Sequence, residues 1–127
     1  MKPLKKVISL LTLFIYTISF AQTEKPQTPK GPFDYIIEDV TFVNKDADSI
    51  TLAGTLTLPK DIKQPPVVIL INGSGAHDRD CTMMAHKSFW VIADYLTNQG
   101  IAVLRFDERG TAKSEGDFSK ATTFDLA

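Results

Sequence analysis

The sequence has 127 residues, of which 43% are hydrophobic and 23% charged, and its formal net charge is −1. These values are typical of a globular domain and argue against a disordered chain or a multi-span membrane protein. Beyond the first six residues the sequence has no run of basic residues, which argues against nucleic acid or an anionic membrane as a partner. With a single cysteine, Cys81, the chain cannot form an internal disulfide and depends on its hydrophobic core.

The first 21 residues have the three parts of a secretory signal peptide. Three lysines form a positive start, residues 7–20 are uncharged and mostly apolar, and Ser19 and Ala21 are the small residues before a cleavage site. The apolar stretch is shorter than the roughly 20 residues that a membrane-spanning helix needs. We therefore expect export to the periplasm or the medium, cleavage after Ala21, and no stable membrane anchor afterwards.

The next segment contains a spacer and two strands. Residues 22–32 are polar and rich in proline, which predicts an extended spacer before a domain at residues 33–127. Residues 35–43 are rich in β-branched and aromatic side chains, which indicates a strand. In residues 50–58 apolar side chains alternate with threonine or alanine, as in a strand covered on one face only. Because turn-forming residues join the two segments, we predict an antiparallel hairpin.

The following segment changes character. Residues 67–71 are continuously apolar, which predicts a strand buried on both faces. Apolar residues then recur with helical spacing, and Gly100 is placed to end that helix. The members of this helical stripe are Phe89, Ile92, Ala93 and Leu96. A second apolar strand at residues 101–106 completes a parallel βαβ unit. The predicted fold class is α/β, with a mixed sheet, and Thr122 and Thr123 suggest the start of another helix.

The polar segment between the first parallel strand and the helix admits several interpretations. Asn72-Gly73-Ser74-Gly75, taken alone, is either a plain strand-to-loop turn or a substrate-facing loop. Arg79, between two aspartates, either binds a substrate carboxylate or pairs within its own cluster. Five residues could bind a metal, but their spacing matches no zinc pattern, so a polar loop is favoured. They are His77, Asp78, Asp80, Cys81 and His86. We predict neither a metal nor a cofactor.

Two motifs together resemble a known family. The loop Asn72-Gly73-Ser74-Gly75 after one parallel strand, with Asp107-Glu108-Arg109-Gly110 after the next, is similar to the N-terminal portion of α/β-hydrolases. The branch that it resembles contains exported bacterial esterase- and peptidase-like proteins. The resemblance covers residues 35–127 and implies an incomplete α/β-hydrolase-type mixed sheet. Ala112 departs from the family's pattern, which commonly has glycine there, and alanine is strained if that position needs a positive φ.

The resemblance implies particular roles for these residues. In α/β-hydrolases a backbone N–H of the loop after the third strand stabilises the oxyanion of acyl transfer. The family likeness therefore implies oxyanion-hole donors at the Ser74 N–H and, as second choice, the Gly75 N–H. Asp107, Arg109 and Gly110 would form a structural turn. The implied substrate is a small-molecule carboxylic ester, with an amide or peptide as the second choice.

The catalytic triad of such an enzyme is not found in the sequence. No Gly-x-Ser-x-Gly pentapeptide occurs, and the imperfect copy around Ser114 is followed by no histidine. We interpret the chain as the N-terminal fragment of an exported serine hydrolase, inactive by itself. The alternative is a non-catalytic exported binding module derived from a truncated hydrolase. A Gly-x-Ser-x-Gly sequence encoded downstream of Ala127 would favour the first interpretation.

Overall fold

A computed structural model describes residues 27–46 and 48–122 of the chain. The predicted signal peptide, the beginning of the spacer and the residues from Thr123 onward lie outside these ranges. In the part that is described, no helix is both long enough and apolar enough to span a membrane.

The described residues form six strands, one α-helix and one 3₁₀ helix. They are β1 (Tyr35–Asn44), β2 (Ile50–Pro59), β3 (Val67–Leu70), β4 (Thr82–Met83), β5 (His86–Lys87), α1 (Ser88–Asn98), β6 (Ala102–Phe106) and the 3₁₀ helix Phe118–Lys120. The four predicted strands and the predicted helix are all present. The short β4–β5 hairpin was not predicted, because its turn residues Met84 and Ala85 have positive φ angles without the usual glycine or asparagine.

The four long strands form one mixed sheet in the order β1-β2-β6-β3. β1 runs antiparallel to β2, β2 antiparallel to β6, and β3 parallel to β6. The predicted hairpin and the predicted parallel βαβ unit are therefore confirmed. In this order β6 is an inner strand with Ala102 and Val103 fully buried. Leu70 at the end of β3 pairs with Arg105, and Phe106 at the end of β6 pairs with Gly54 in the middle of β2, so the ends of β3 and β6 lie side by side.

Helix α1 covers the face of the sheet on which the threonines of β2 lie. The alternation in β2 suggests instead that the face with its apolar side chains is the covered one. Thr57 is fully buried, and its Oγ1 lies 2.7 Å from Oγ1 of Thr97 in α1. On the same face, the Tyr35 hydroxyl donates a hydrogen bond of 2.7 Å to Asp94. Burial, together with this hydrogen bond, raises the pKa of Tyr35 to about 12. Helix α1 thus supplies hydrogen-bond partners for the hydroxyl groups of Thr57 and Tyr35 on that face.

The contact surface of α1 also differs from the predicted stripe. Ala93 and Thr97 are its buried residues, whereas Ile92, a predicted core residue, is 42% exposed. Small side chains at the contact allow the helix to approach the sheet closely. The predicted end of the helix is confirmed, because Gly100 follows the C-cap with φ +87°.

The opposite face of the sheet is apolar and partly open to solvent. Phe42 and Phe106 pack edge to face on it, with ring centroids 5.8 Å apart. On β3 and just beyond it, Val67, Ile69 and Ile71 are each more than half exposed. Among the described residues no helix covers this face. The prediction that residues 67–71 are buried on both faces is therefore wrong, because the face of β3 opposite to α1 is open to solvent.

The buried threonine pair generates a stability prediction. Thr57→Val is expected to lower the free energy of unfolding by about 1–3 kcal/mol, because the hydroxyl of Thr97 loses its buried partner. The double variant Thr57→Val with Thr97→Val is expected to recover part of this loss, since neither hydroxyl is then present. Urea unfolding measures both effects, and Thr41→Val, at an exposed position of the same face, serves as the control. Strict additivity of the two single losses would contradict the pairing.

Candidate active site

The segment that follows β3, residues 72–77, forms an exposed loop, named here the 72–77 loop. Asn72 at its base is buried and donates from Nδ2 to the backbone oxygen of Asp78 at 3.3 Å. Gly73, Ser74 and Gly75 are exposed. Within residues 27–46 and 48–122, neither the Ser74 N–H nor the Gly75 N–H donates to another protein group. Both N–H groups are therefore available to a ligand at the end of a parallel strand.

The far end of the 72–77 loop is held by Glu108, which directly follows Asp107 after β6. The His77 N–H donates to Glu108 Oε2 at 2.7 Å, and the Glu108 N–H donates to the His77 oxygen at 3.2 Å. Glu108 is 2% exposed, and its Oε1 has no hydrogen-bond partner in the described part of the chain. Both polar backbone groups of His77 are thus fixed by one buried residue.

Arg79 forms the principal ion pair of this region with Asp107. Its Nε and Nη2 donate to the two carboxylate oxygens of Asp107 at 3.1 and 2.6 Å, and its backbone N–H donates to Oδ1 at 2.7 Å. Nη1 of Arg79 reaches β2, donating to the Gly54 oxygen at 2.8 Å and to Thr55 Oγ1 at 2.7 Å. This bidentate pair therefore ties the segment after β3 to β6 and to β2.

Arg79 and Asp107 each stabilise the charged form of the other. Burial alone would raise the pKa of Asp107, but the hydrogen bonds from Arg79 and from the Lys113 N–H hold it below its usual value of 3.8. The hydrogen bond to Asp107 raises the pKa of Arg79, against the effect of burial. Asp107 is therefore a carboxylate, and Arg79 a cation, throughout the neutral range.

Of the two interpretations given for Arg79, pairing with its neighbours Asp78 and Asp80 is not what the structure has. Asp78 Oδ1 accepts hydrogen bonds from the backbone of Asp80 and Thr82, and so shapes its own turn. Asp80 pairs instead with Arg105 of β6 and with Lys87. The side chain of Arg79 donates hydrogen bonds to Asp107, Gly54, Thr55 and Asp39, so these groups, and not a neighbouring aspartate, are its partners. No group of three or more possible metal ligands lies together among the described residues.

The residues after Asp107 form a tight turn. Gly110 has φ +68°, and a Cβ there would lie 2.4 Å from the Phe118 nitrogen. Arg109 donates to Asp48 at 2.9 Å. Ala112 has φ +47°, so an alanine does occupy a left-handed conformation there, as the departure from the family pattern suggested.

Ser114 has a structural position in this turn. Its Oγ donates to the Asp107 backbone oxygen at 2.6 Å and accepts from the Ala53 N–H at 2.9 Å. The hydroxyl therefore connects the turn to β2, and no histidine lies beside it to activate it.

Sequence reasoning missed Glu108 as a residue of the site. A glutamate in a turn is usually solvated, and nothing local indicates that this one is buried. The signal that could have found it is its position directly after the apolar strand β6, next to Asp107. At this place the C-terminal end of β6 lies beside the loop that follows β3.

Comparisons with known proteins bear on the fold of the chain. No protein-family model matches the chain. The chain is 40% identical to esterase EstD of Thermotoga maritima over 76 residues, which are 60% of this chain and 18% of EstD. In structure it resembles the α/β hydrolase GrgF from a Penicillium species, with a TM-score of 0.50 and 27% identity over 65% of this chain and 25% of GrgF. The chain thus spans less than one third of either protein's length.

A second solved structure supports the fold alone. A hypothetical protein of Pseudomonas aeruginosa matches with a TM-score of 0.53 and 24% identity, over 83% of this chain and 31% of that protein. Together, these similarities and the strand order establish an α/β-hydrolase-like fold for the described residues. The predicted mixed sheet of an incomplete α/β-hydrolase type is confirmed.

The lowered pKa of Asp107 predicts a pH-dependent contribution to stability. Asp107→Asn is expected to lower the free energy of unfolding at pH 7 by about 3 kcal/mol, as for a broken buried ion pair. The pKa of Asp107 is lower in the folded protein than in the unfolded chain. The stability that its charge contributes is therefore fully present above the unfolded pKa. It is lost as the pH falls through the folded pKa.

Urea unfolding at several pH values between 7 and 3 measures this difference. The two unfolding free energies are expected to converge on acidification, because the variant has no carboxylate to protonate. Asp61→Asn, at an exposed carboxyl group, is the matched control. A difference that stays constant down to pH 3 would contradict the role of the Asp107 charge.

Proposed function

We propose that this chain is the N-terminal part of an exported serine α/β-hydrolase and that its 72–77 loop supplies the oxyanion hole. The observation that carries the proposal is that the N–H groups of the exposed residues Ser74 and Gly75 have no hydrogen-bond partner among the described residues. They lie at the end of a parallel strand, in a loop whose two ends are fixed by buried residues. The substrate class is a carboxylic ester, with amide or peptide bonds as the second choice.

The geometry suits stabilisation of an oxyanion for a physical reason. A tetrahedral intermediate of acyl transfer concentrates negative charge on one oxygen, and N–H donors stabilise it best when they need no reorganisation. Asn72 and His77 hold the two ends of the loop, while Ser74 and Gly75 stay open to solvent. The likeness to an esterase supports ester cleavage as the reaction. In this proposal the nucleophile, acid and base belong to a longer protein that contains this sequence.

The loop is tested by two substitutions at one position in that longer protein. Ser74→Ala keeps the backbone N–H and is expected to change kcat for a p-nitrophenyl ester little. Ser74→Pro removes the N–H and is expected to lower kcat by about 10²–10³-fold, the effect of losing one oxyanion donor. Thermal unfolding of both variants checks that the fold is kept.

Three results would count against this part of the proposal. Equally severe losses in both variants would assign the role to the Ser74 side chain instead. An unchanged rate for a folded Ser74→Pro would remove the Ser74 N–H from the oxyanion hole. A wild-type protein that hydrolyses no ester or amide would overturn the proposed activity itself.

The export part of the proposal rests on the leader at residues 1–21. The first residue of the exported protein is expected to be Gln22, since the small residues Ser19 and Ala21 precede that bond. N-terminal sequencing of material from the periplasm or the medium measures this. An intact Met1 on the exported protein, or its retention in the cytoplasm, would contradict the prediction.

A further inference from the structure

We infer that His77 is a positioning residue that sets the direction of the Gly75 N–H in the oxyanion hole. The inference rests on the proposed function, because it assigns a residue that aims one of the two proposed donors. It starts from a side-chain contact inside the 72–77 loop. Nε2 of His77 lies 3.1 Å from the backbone oxygen of Ser74.

The chemistry of this contact determines the donor. A backbone oxygen only accepts, so Nε2 of His77 carries the hydrogen and the imidazole donates. The Ser74 oxygen and the Gly75 N–H belong to the same planar trans peptide, in which the two groups point in opposite directions. By holding the Ser74 oxygen toward its ring, His77 therefore turns the Gly75 N–H to the opposite side.

The backbone at Gly75 is shaped to receive the ring. Gly75 has φ +124°, a conformation that favours glycine, and a Cβ at this position would lie 2.9 Å from His77 Nε2. The imidazole thus occupies the space beside the peptide that a side chain would otherwise need. Because Gly75 is exposed and its N–H has no described protein partner, the N–H is left to a ligand on the side away from the ring.

The backbone that carries the His77 ring is held in place. Glu108 binds both the N–H and the oxygen of His77, and Glu108 is buried after β6. The imidazole therefore projects from a backbone that is attached to an inner strand. The chain of contacts runs from β6 through Glu108 and His77 to the Ser74–Gly75 peptide, and it aims an otherwise exposed N–H.

Substitutions of His77 test this role in the longer protein, with a p-nitrophenyl ester as substrate. His77→Phe keeps the ring volume without the donor, and His77→Asn keeps an amide that is too short to reach the Ser74 oxygen. Both are expected to lower kcat by about 10–100-fold with little change in KM, because a misdirected donor fails mainly in the transition state. His77→Gln, whose amide nitrogen can take the place of Nε2, is expected to retain most of the activity.

A transition-state analogue separates positioning from general structural support. The affinity of a trifluoromethyl ketone, which forms a bound oxyanion, is expected to weaken in parallel with kcat/KM in His77→Phe and His77→Asn. The same substitutions at His86, the other histidine of the sequence, are the matched control and are expected to leave both quantities unchanged. Wild-type kcat in His77→Phe and His77→Asn, or a loss confined to KM, would overturn the inference. So would a His77→Gln variant as impaired as His77→Phe.

A second measurement does not depend on activity. ¹⁵N NMR of labelled histidine is expected to show the neutral His77 ring protonated on Nε2, and a ring protonated on Nδ1 would overturn the inference. If the wild-type protein cleaves no ester, the proposed function fails, while the NMR result still decides whether His77 holds the Ser74 oxygen. If ester cleavage is present and His77→Phe is fully active, the inference fails and the proposed function stands.

Discussion

The ion pair between Arg79 and Asp107 is the interaction on which the rest of the structure depends. It joins the segment after β3 to the end of β6 through three hydrogen bonds, and Nη1 of Arg79 extends the connection to Gly54 and Thr55 in β2. Removing either partner would leave a charge in a largely buried place without compensation. The ends of β3 and β6 are therefore connected to each other and to the middle of β2, close to where the 72–77 loop begins.

The two faces of the sheet are stabilised by different physical interactions. On the face that α1 covers, hydrogen bonds join Thr57 to Thr97 and Tyr35 to Asp94, and Asp80 pairs with Arg105. Such polar contacts contribute modest net energy but require specific geometry, which restricts where α1 can sit. The opposite face is held by apolar contacts, which are not directional. Its apolar side chains at β3 are exposed to solvent.

The candidate site combines exposure with rigidity through this arrangement. An N–H that binds a developing oxyanion has to remain open to the substrate, yet an exposed loop is usually mobile. Here the exposed residues 73–75 lie between a buried asparagine and a histidine whose backbone is bound by Glu108. The loop is thus short and fixed at both ends. The turn after Asp107 helps as well, because the hydroxyl of Ser114 attaches it to β2.

Local sequence patterns were sufficient for the hairpin, the two parallel strands, α1 and its end at Gly100. These features depend on residue periodicity and backbone preference within a few positions. The family resemblance pointed to the 72–77 loop as a candidate, but nothing in the sequence indicated which residues support that loop. Arg79 pairs with a residue 28 positions away, and His77 with one 31 positions away, so no short-range pattern specifies them. Likewise, the alternation in β2 separates two faces but cannot tell which one a helix will cover. That choice depends on which distant side chains can satisfy the polar groups of each face, and only the packed chain brings those side chains together.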